Sequence, residues 1–217
     1  EIFIDNADMQ KMSRKDIALN IAFVEQDLSS EIEFTALQYT MLGRTPHNSI
    51  FKLNDSKKDV EAALLALKTT NCEHLRDTPV NKLSGGEKQL VMIAKAIAQD
   101  TPIIILDEPT SNLDITNQLE IINQLKELKN RGKTIIAVMH DINVAIGIAD
   151  RLIMMKEGRI FKITEPQDTQ NSQYLSAVLD TEMEKIDVEN ENKQINLTSE
   201  RRISDFTNEK EMMQNKI

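Results

Sequence analysis

A single cysteine, Cys72, stands among 217 residues, so the chain closes no disulfide within itself and suits a reducing compartment. Cys72 is expected as a small buried or half-buried side chain. Positive charge is short: 26 Lys and Arg against 35 Asp and Glu leave a formal net charge of −9. That balance argues against a nucleic-acid backbone as the main partner. No apolar run approaches the roughly 18–20 residues that cross a bilayer, so a membrane role would come by docking rather than by spanning. No signal peptide is visible. Glycine is scarce too, with Gly43, Gly85, Gly86, Gly132, Gly147 and Gly158 the full set. No pair of them builds Gly-x-x-x-x-Gly-Lys-Ser/Thr, the loop that wraps nucleotide phosphates between a strand and a helix. Gly132-Lys133-Thr134 supplies the last three residues, but position 127 is Glu and the local order is helix, turn, strand. Gly132 reads instead as the residue that ends a helix.

What is present is a soluble, globular balance, 40% hydrophobic and 28% charged, enough for one sizeable core. Residues 83–89, Leu-Ser-Gly-Gly-Glu-Lys-Gln, read as a helix start that faces an anion. Ser84 is a good N-cap and Glu87 completes a capping box. Gly85 and Gly86 leave the first-turn N–H groups unshielded, and those orphan donors with the helix dipole favour a phosphate. Residues 103–109, Ile-Ile-Ile-Leu-Asp-Glu-Pro, are an apolar run ending in two carboxylates. A buried parallel strand that delivers acids at its carboxyl end is the usual geometry of an open α/β ligand site.

Taken in order, residues 1–6 predict a strand, 13–19 a helical turn and 21–24 a second strand ending in Glu25-Gln26-Asp27. Residues 30–82 are mainly helical. Phe34, Leu37 and Met41 mark one helix over 33–42, which Gly43 to His47 should break. Ser56 and Asp59 open another, with Val60, Ala63, Leu64 and Leu67 on one face. A helix over 86–99 carries Leu90, Ile93, Ala94 and Ile97. Asp114 can cap the next, with Leu119, Ile122, Leu125 and Leu128 as its stripe. A strand over 134–139 ends in His140-Asp141, and a short helix follows over 143–149. Strands over 151–155 and 159–163 read as a hairpin. Strand–helix alternation gives an α/β class with a parallel core. From residue 165 the composition turns polar. Tyr174, Leu175, Val178 and Leu179 could share a helix face, and Met183, Ile186 and Val188 a weak strand, before a stretch expected to be disordered. No internal repeat is visible.

LSGGEKQ resembles the signature motif of ATP-binding-cassette (ABC) ATPases, and IIILDEPTSNLD is similar to their Walker B strand and D-loop. The stretch from Tyr39 to His47 resembles the LGR-x-PH segment of importer ATPases for ferric siderophores, haem and cobalamin. The resemblance implies a P-loop NTPase (RecA-like) core over residues 1–164 with a helical subdomain inserted at about 30–85, and a polar extension over 165–217. In that family the phosphate-binding loop lies upstream of a strand such as residues 1–6. On that comparison the first strands and the P-loop are absent, and the chain is expected to be N-terminally truncated.

The resemblance also implies roles for the matching residues, with ATP and Mg²⁺ as cofactors. Asp107 would hold Mg²⁺ through water, and Gln26, in the Q-loop position, would offer its amide oxygen to the metal or the attacking water. Glu108 would be the general base and His140 would position the water at the γ-phosphate. Ser84, Gly85 and Gly86 would bind the γ-phosphate of ATP held by a second ATPase subunit, head to tail. Residues 111–114 would form the D-loop, with Asp114 capping its helix. His47 alone, without Cys, Asp or His at ligand spacing, is poor evidence for a metal site. The leading function is the ATPase subunit of an importer, docked on a transmembrane permease at the cytoplasmic face of the membrane. Without a P-loop, weak ATP binding and negligible hydrolysis are expected of these residues alone. Two other readings stay open: an ABC ATPase outside transport, as in DNA repair or translation, and a non-catalytic cassette that serves as a dimer partner.

Overall fold

The computed structural model describes residues 1–28, 33–48, 56–111 and 113–170. They fall into two compact units, residues 1–140 and the described part of 141–217. The expectations for the polar stretch beyond residue 170 lie outside the described residues.

In the first unit, the predicted opening strand is a hairpin instead. β1 (Phe3–Ile4) pairs antiparallel with β2 (Ala7–Asp8). Asp5 and Asn6 between them both take positive φ, 47° and 65°, which suits the two-residue turn that matches strand twist. Ser13 then caps α1 (Arg14–Asn20), accepting from the backbone N–H of Asp16.

The sheet that positions the site is parallel, in the order β3 (Ile21–Val24), β4 (Ile103–Asp107), β5 (Thr134–Val138). Its register sets Val24 beside Leu106 and Asp107 beside Val138. Because side chains alternate along a strand, Ala22, Val24, Ile104 and Leu106 fall on one face, and all are buried. Residues 103–106 read as a buried strand. Among the described residues, Phe23, Ile136 and Val138 on the other face are about half exposed, at 48%, 51% and 54%.

The helical part between β3 and β4 is as expected in kind and different in detail. α2 (Ala36–Met41) starts later than the pattern implies, because Thr35 and Gln38 form a capping box there. Phe34 is therefore outside the helix and 47% exposed. Gly43 does not break the chain's helical course, which tightens into a 3₁₀ segment, Leu42–His47, with Pro46 inside it. Ser56 and Asp59 box the start of α3 (Lys57–Thr69) as predicted, and Ala63, Ala66 and Leu67 are its buried residues with Asp59. Cys72 is buried at 1% exposure.

α4 (Gly85–Gln99) is the central element, packed on by α2, α3 and β3. Leu90, Val91, Met92, Ile93, Ala94, Ala96 and Ala98 are all buried, more than the one face predicted. α5 (Ile115–Asn130) is capped by Asp114, and Gly132 follows it at φ 83°, both as expected. Its buried stripe is Ile121, Ile122, Leu125 and Leu128, whereas Leu119 is 55% exposed.

In the second unit Asp141 caps α6 (Ile142–Ile148). β6 (Leu152–Lys156) and β7 (Arg159–Thr164) form the predicted hairpin around Glu157 and Gly158, at φ 50° and 72°. No helix among the described residues is long and apolar enough to cross a membrane.

Candidate functional site

Two neighbouring strands each deliver a side chain to a carboxylate that the strand between them supplies. The Gln26 side-chain amide, past the end of β3, donates to Glu108 Oε2 at 2.7 Å. His140 Nε2, past the end of β5, stands 2.5 Å from Glu108 Oε1. Glu108 itself follows β4, so the central strand's acid is flanked by the residues of both neighbours, as parallel order requires. The His140 side chain is largely open to solvent at 79% exposure, while that of Glu108 is 18% exposed.

The backbone aims Glu108. Its φ is 46°, in the left-handed region that a residue with a Cβ adopts at a cost of about 1–2 kcal/mol. That turn is held from both sides. The Glu108 N–H donates to the Val138 carbonyl at 3.1 Å, and the Glu108 carbonyl accepts from the Ser111 N–H at 3.1 Å and hydroxyl at 2.9 Å. Without the reversal, Asp107 and Glu108 would alternate to opposite faces as on any strand. No pattern in the sequence signals this conformation at a glutamate.

Asp107 ends β4 beside Val138 and is half-buried. The donor chemistry fits a magnesium ion: a carboxylate, and the amide oxygen that Gln26 keeps after spending its nitrogen on Glu108, are hard oxygen ligands. Among the described residues no group of three His, Cys, Asp or Glu side chains is arranged to hold a metal ion, so water and substrate oxygens would complete the shell. His47 contributes nothing to such a site, because its Nε2 lies 2.7 Å from the Gln99 carbonyl.

The second group of residues gathers at the start of α4. Ser84 caps it at φ −62° and ψ 164°, and the box with Glu87 is complete. Glu87 Oε2 accepts from the Ser84 N–H at 2.8 Å and from its hydroxyl at 2.8 Å. Those bonds hold the Glu87 carboxyl below its usual range. An anionic group thus already sits where the helix end favours one, beside the orphan first-turn amides.

Gly86 is the contact with the next helix. A Cβ there would come within 2.4 Å of the Asn117 side-chain carbon and 2.6 Å of its oxygen and nitrogen. Asn117 in turn is tied to the cap of α5: its backbone N–H donates to Asp114 Oδ1 at 2.9 Å and its side-chain amide to Oδ2 at 2.8 Å. The Gln118 amide braces the turn before it, donating to the carbonyls of Thr110 at 3.3 Å and Leu113 at 3.1 Å. Position 112 lies outside the described residues. So the structure joins Gln26, Glu108 and His140, with Asp107 adjacent, and separately joins Ser84, Gly86 and Asp114 through Glu87 and Asn117. Sequence reasoning missed Asn117 and Gln118, whose only signal was their nearness to the capping aspartate. A cleft of about 390 Å³, lined by Ala96, Ile97 and Leu128 among others, lies at the opposite end of α4 from Ser84 and touches neither group.

Comparison with known proteins follows the same residues. A family model described as ABC transporter matches residues 1–111. The chain is 34% identical over 178 residues to the ferric enterobactin transport ATP-binding protein FepC of Escherichia coli (strain K12), a match covering 82% of this chain and 65% of that protein. The iron(3+)-hydroxamate import ATP-binding protein FhuC of Bacillus subtilis (strain 168) is 34% identical over 214 residues, covering 98% of this chain and 77% of its own length. Against FepC, therefore, the chain spans just under two thirds of the relative's length. Among solved structures, an ABC transporter described as of metal-chelate type, in an inward-facing conformation, superposes with a TM-score of 0.74 at 29% identity, covering 81% of this chain and 71% of that one. A bacterial ABC transporter cassette solved as a dimer gives 0.66 at 32% identity, covering 76% and 72%.

Proposed function

The chain belongs to the ABC transporter family of ATP-binding proteins, and on that premise we propose that it powers an importer for an iron–siderophore complex by hydrolysing ATP. The observation that carries the catalytic reading is the convergence of Gln26 and His140 on the two oxygens of Glu108. A carboxylate so placed, partly shielded and at the carboxyl end of a parallel sheet, can take the proton of an attacking water. His140, open to solvent, orients that water and the phosphoryl oxygen it approaches. Asp107 and the Gln26 amide oxygen would hold Mg²⁺, and the chemistry it would supply there is neutralisation of phosphate charge. Ser84, Gly85 and Gly86 present helix-end donors to the γ-phosphate on a second subunit. Asp114, through Asn117 and Gly86, ties the D-loop side to that same helix end.

The iron–siderophore assignment is supported by the relatives named for ferric enterobactin and iron(3+)-hydroxamate transport and by the segment from Tyr39 to His47. The dimer is supported by the likeness to a cassette solved as one. Permease partners and a place at the cytoplasmic membrane face follow from the same reading. The 217 residues hold no Gly-x-x-x-x-Gly-Lys-Ser/Thr, so a polypeptide of just these residues is expected to bind ATP weakly and turn it over negligibly.

Deleting the gene and measuring uptake of radiolabelled ferric siderophore tests the reading. Uptake should fall to background and stay there when the gene carrying Glu108→Gln is returned, while the unaltered gene restores it. Undiminished uptake in the deletion strain would overturn the transport assignment. Steady-state ATP turnover by the purified 217-residue chain would overturn the expectation of inactivity.

A further inference from the structure

The segment from Leu42 to His47 touches neither candidate group, yet it meets the far end of α4 at three points. Arg44 Nη1 donates to the Ala98 carbonyl at 2.7 Å, and His47 Nε2 lies 2.7 Å from the Gln99 carbonyl. These are two of the last carbonyls of α4, which have no partner inside the helix. Gly43 permits the approach: a Cβ there would lie 2.3 Å from the Lys95 carbonyl oxygen and 3.1 Å from the Gln99 nitrogen, both backbone atoms that cannot swing aside. Arg44 is itself fixed, because its Nε donates to Asp59 Oδ1 at 3.2 Å at the start of α3. Gln99 extends the connection to the sheet, its side-chain amide donating to the carbonyls of Ala18 at 2.7 Å and Ile21 at 2.9 Å. Ile21 begins the strand that ends before Gln26.

We propose that the Leu42–His47 segment is a positioning clamp on α4, in which Gly43, Arg44 and His47 hold the helix by its last turn and so set where Ser84 and Gly86 stand. Arg44 and Gln99 are positioning residues, acting through the helix and touching no substrate. A helix of this length is a rigid lever, and Gly86 lies roughly 20 Å along it from Gln99. A shift of the clamped end therefore moves the phosphate-facing end, where Gly86 is packed against Asn117 with no room to spare. The consequence for phosphate binding rests on the function proposed above. The clamp does not, and it is tested without nucleotide.

The test is the amide NMR spectrum of the full chain, read at the Asn117 side-chain NH₂ and the Gly86 amide. Gly43→Ala, which wedges the segment off the helix, should shift or broaden both signals as well as those of Ala98 to Asp100. Arg44→Ala should do the same, and Arg44→Lys should restore the signals in part, since an ammonium can reach the Ala98 carbonyl or Asp59 but lacks the fork that serves both. His47→Ala removes one exposed contact, leaves the buried pair intact, and should give a smaller shift in the same direction at both ends. Perturbation confined to the Ala98–Asp100 end in Gly43→Ala and His47→Ala would overturn the clamp, whatever Arg44→Ala does to folding. A normal NMR response with no uptake defect on gene deletion would leave the clamp standing and remove the transport function.

Discussion

Gln26 and Glu108 are 82 residues apart in sequence, and the amide of one donates to the carboxylate of the other at 2.7 Å. The contact exists because β3 and β4 are neighbours in parallel register, so their carboxyl ends arrive together. With His140 on the other oxygen, both faces of the Glu108 carboxylate are directed by the protein before any substrate is present. That direction depends on a strained backbone, which makes the strain measurable.

Glu108 sits at φ 46°, a conformation that costs a residue with a Cβ about 1–2 kcal/mol and a glycine almost nothing. Replacing it by Ala or by Gly removes the same side-chain contacts, so the difference between the two variants isolates the backbone. Glu108→Gly should be more stable than Glu108→Ala by about 1 kcal/mol in urea unfolding, opposite to the usual order. Equal stabilities, or the ordinary preference for Ala, would contradict a strained Glu108.

The cap of α4 predicts an acid-side loss of stability. Glu87 is held below its ordinary value by the Ser84 N–H and hydroxyl, so the unfolded chain takes up the proton first. The stabilisation is complete above the ordinary glutamate value of 4.5 and is lost as pH falls through the lower, folded value. Ser84→Ala should cost about 1 kcal/mol at neutral pH. Glu87→Gln keeps a capping partner that does not titrate. Its stability relative to the parent should therefore improve as pH is lowered, read from urea midpoints across the acid range. A gap that stays constant with pH would rule out this carboxylate as a contributor.

Several of these features were legible because they are local. Ser84 with Glu87, Ser56 with Asp59, Asp114 before its helix, and Glu157-Gly158 between two strands each state their geometry within four residues, and each is found as stated. The same local reading placed Gln26, Glu108 and His140 at strand ends. It could not bring them into contact, because that depends on strand order, which only tertiary packing decides. The stripe on α5 slipped for a related reason: Leu119 and Ile121 both fit a helical period, and which is buried depends on how α5 rolls against its neighbours. The close approach of Gly86 to Asn117 was hidden because a glycine in a helix start reads first as an anion site.

That approach gives a coupling that a double-mutant cycle can detect. Gly86→Ala would place a methyl 2.4 Å from the Asn117 side chain, which must then leave its bond to Asp114. The Asn117 amide can swing aside, so the cost is chiefly the loss of that bond, about 0.5–1.5 kcal/mol. In an Asn117→Ala background the methyl has room, so the same substitution should cost less by about that amount. Chemical denaturation of the four proteins gives the coupling directly, and strict additivity would show that α4 and α5 do not meet as described.

Arg44 and Asp59 make the other test of packing against charge. Their side chains are only 17% and 6% exposed at a separation of 3.2 Å, which places them with buried rather than surface ion pairs. Removing the arginine leaves the carboxylate with its Ser56 bonds and fewer other partners, and Arg44→Ala should cost about 1–3 kcal/mol. The Ser56 hydroxyl is the first cause of the lowered Asp59 value, and Arg44 adds to it. Asp59 therefore contributes stability above the ordinary aspartate value of 3.8 that is lost as pH falls through its lower, folded value. Asp59→Asn removes the charge that Arg44→Ala strands, so the double variant should be more stable than Arg44→Ala alone. If instead the two losses simply add, the carboxylate is not being stranded, and the cost of losing Arg44 belongs to its bond with the Ala98 carbonyl and to the packing of its stem. The sign of that comparison separates a charge effect from a positional one, and it can be read from urea midpoints of three variants beside the parent.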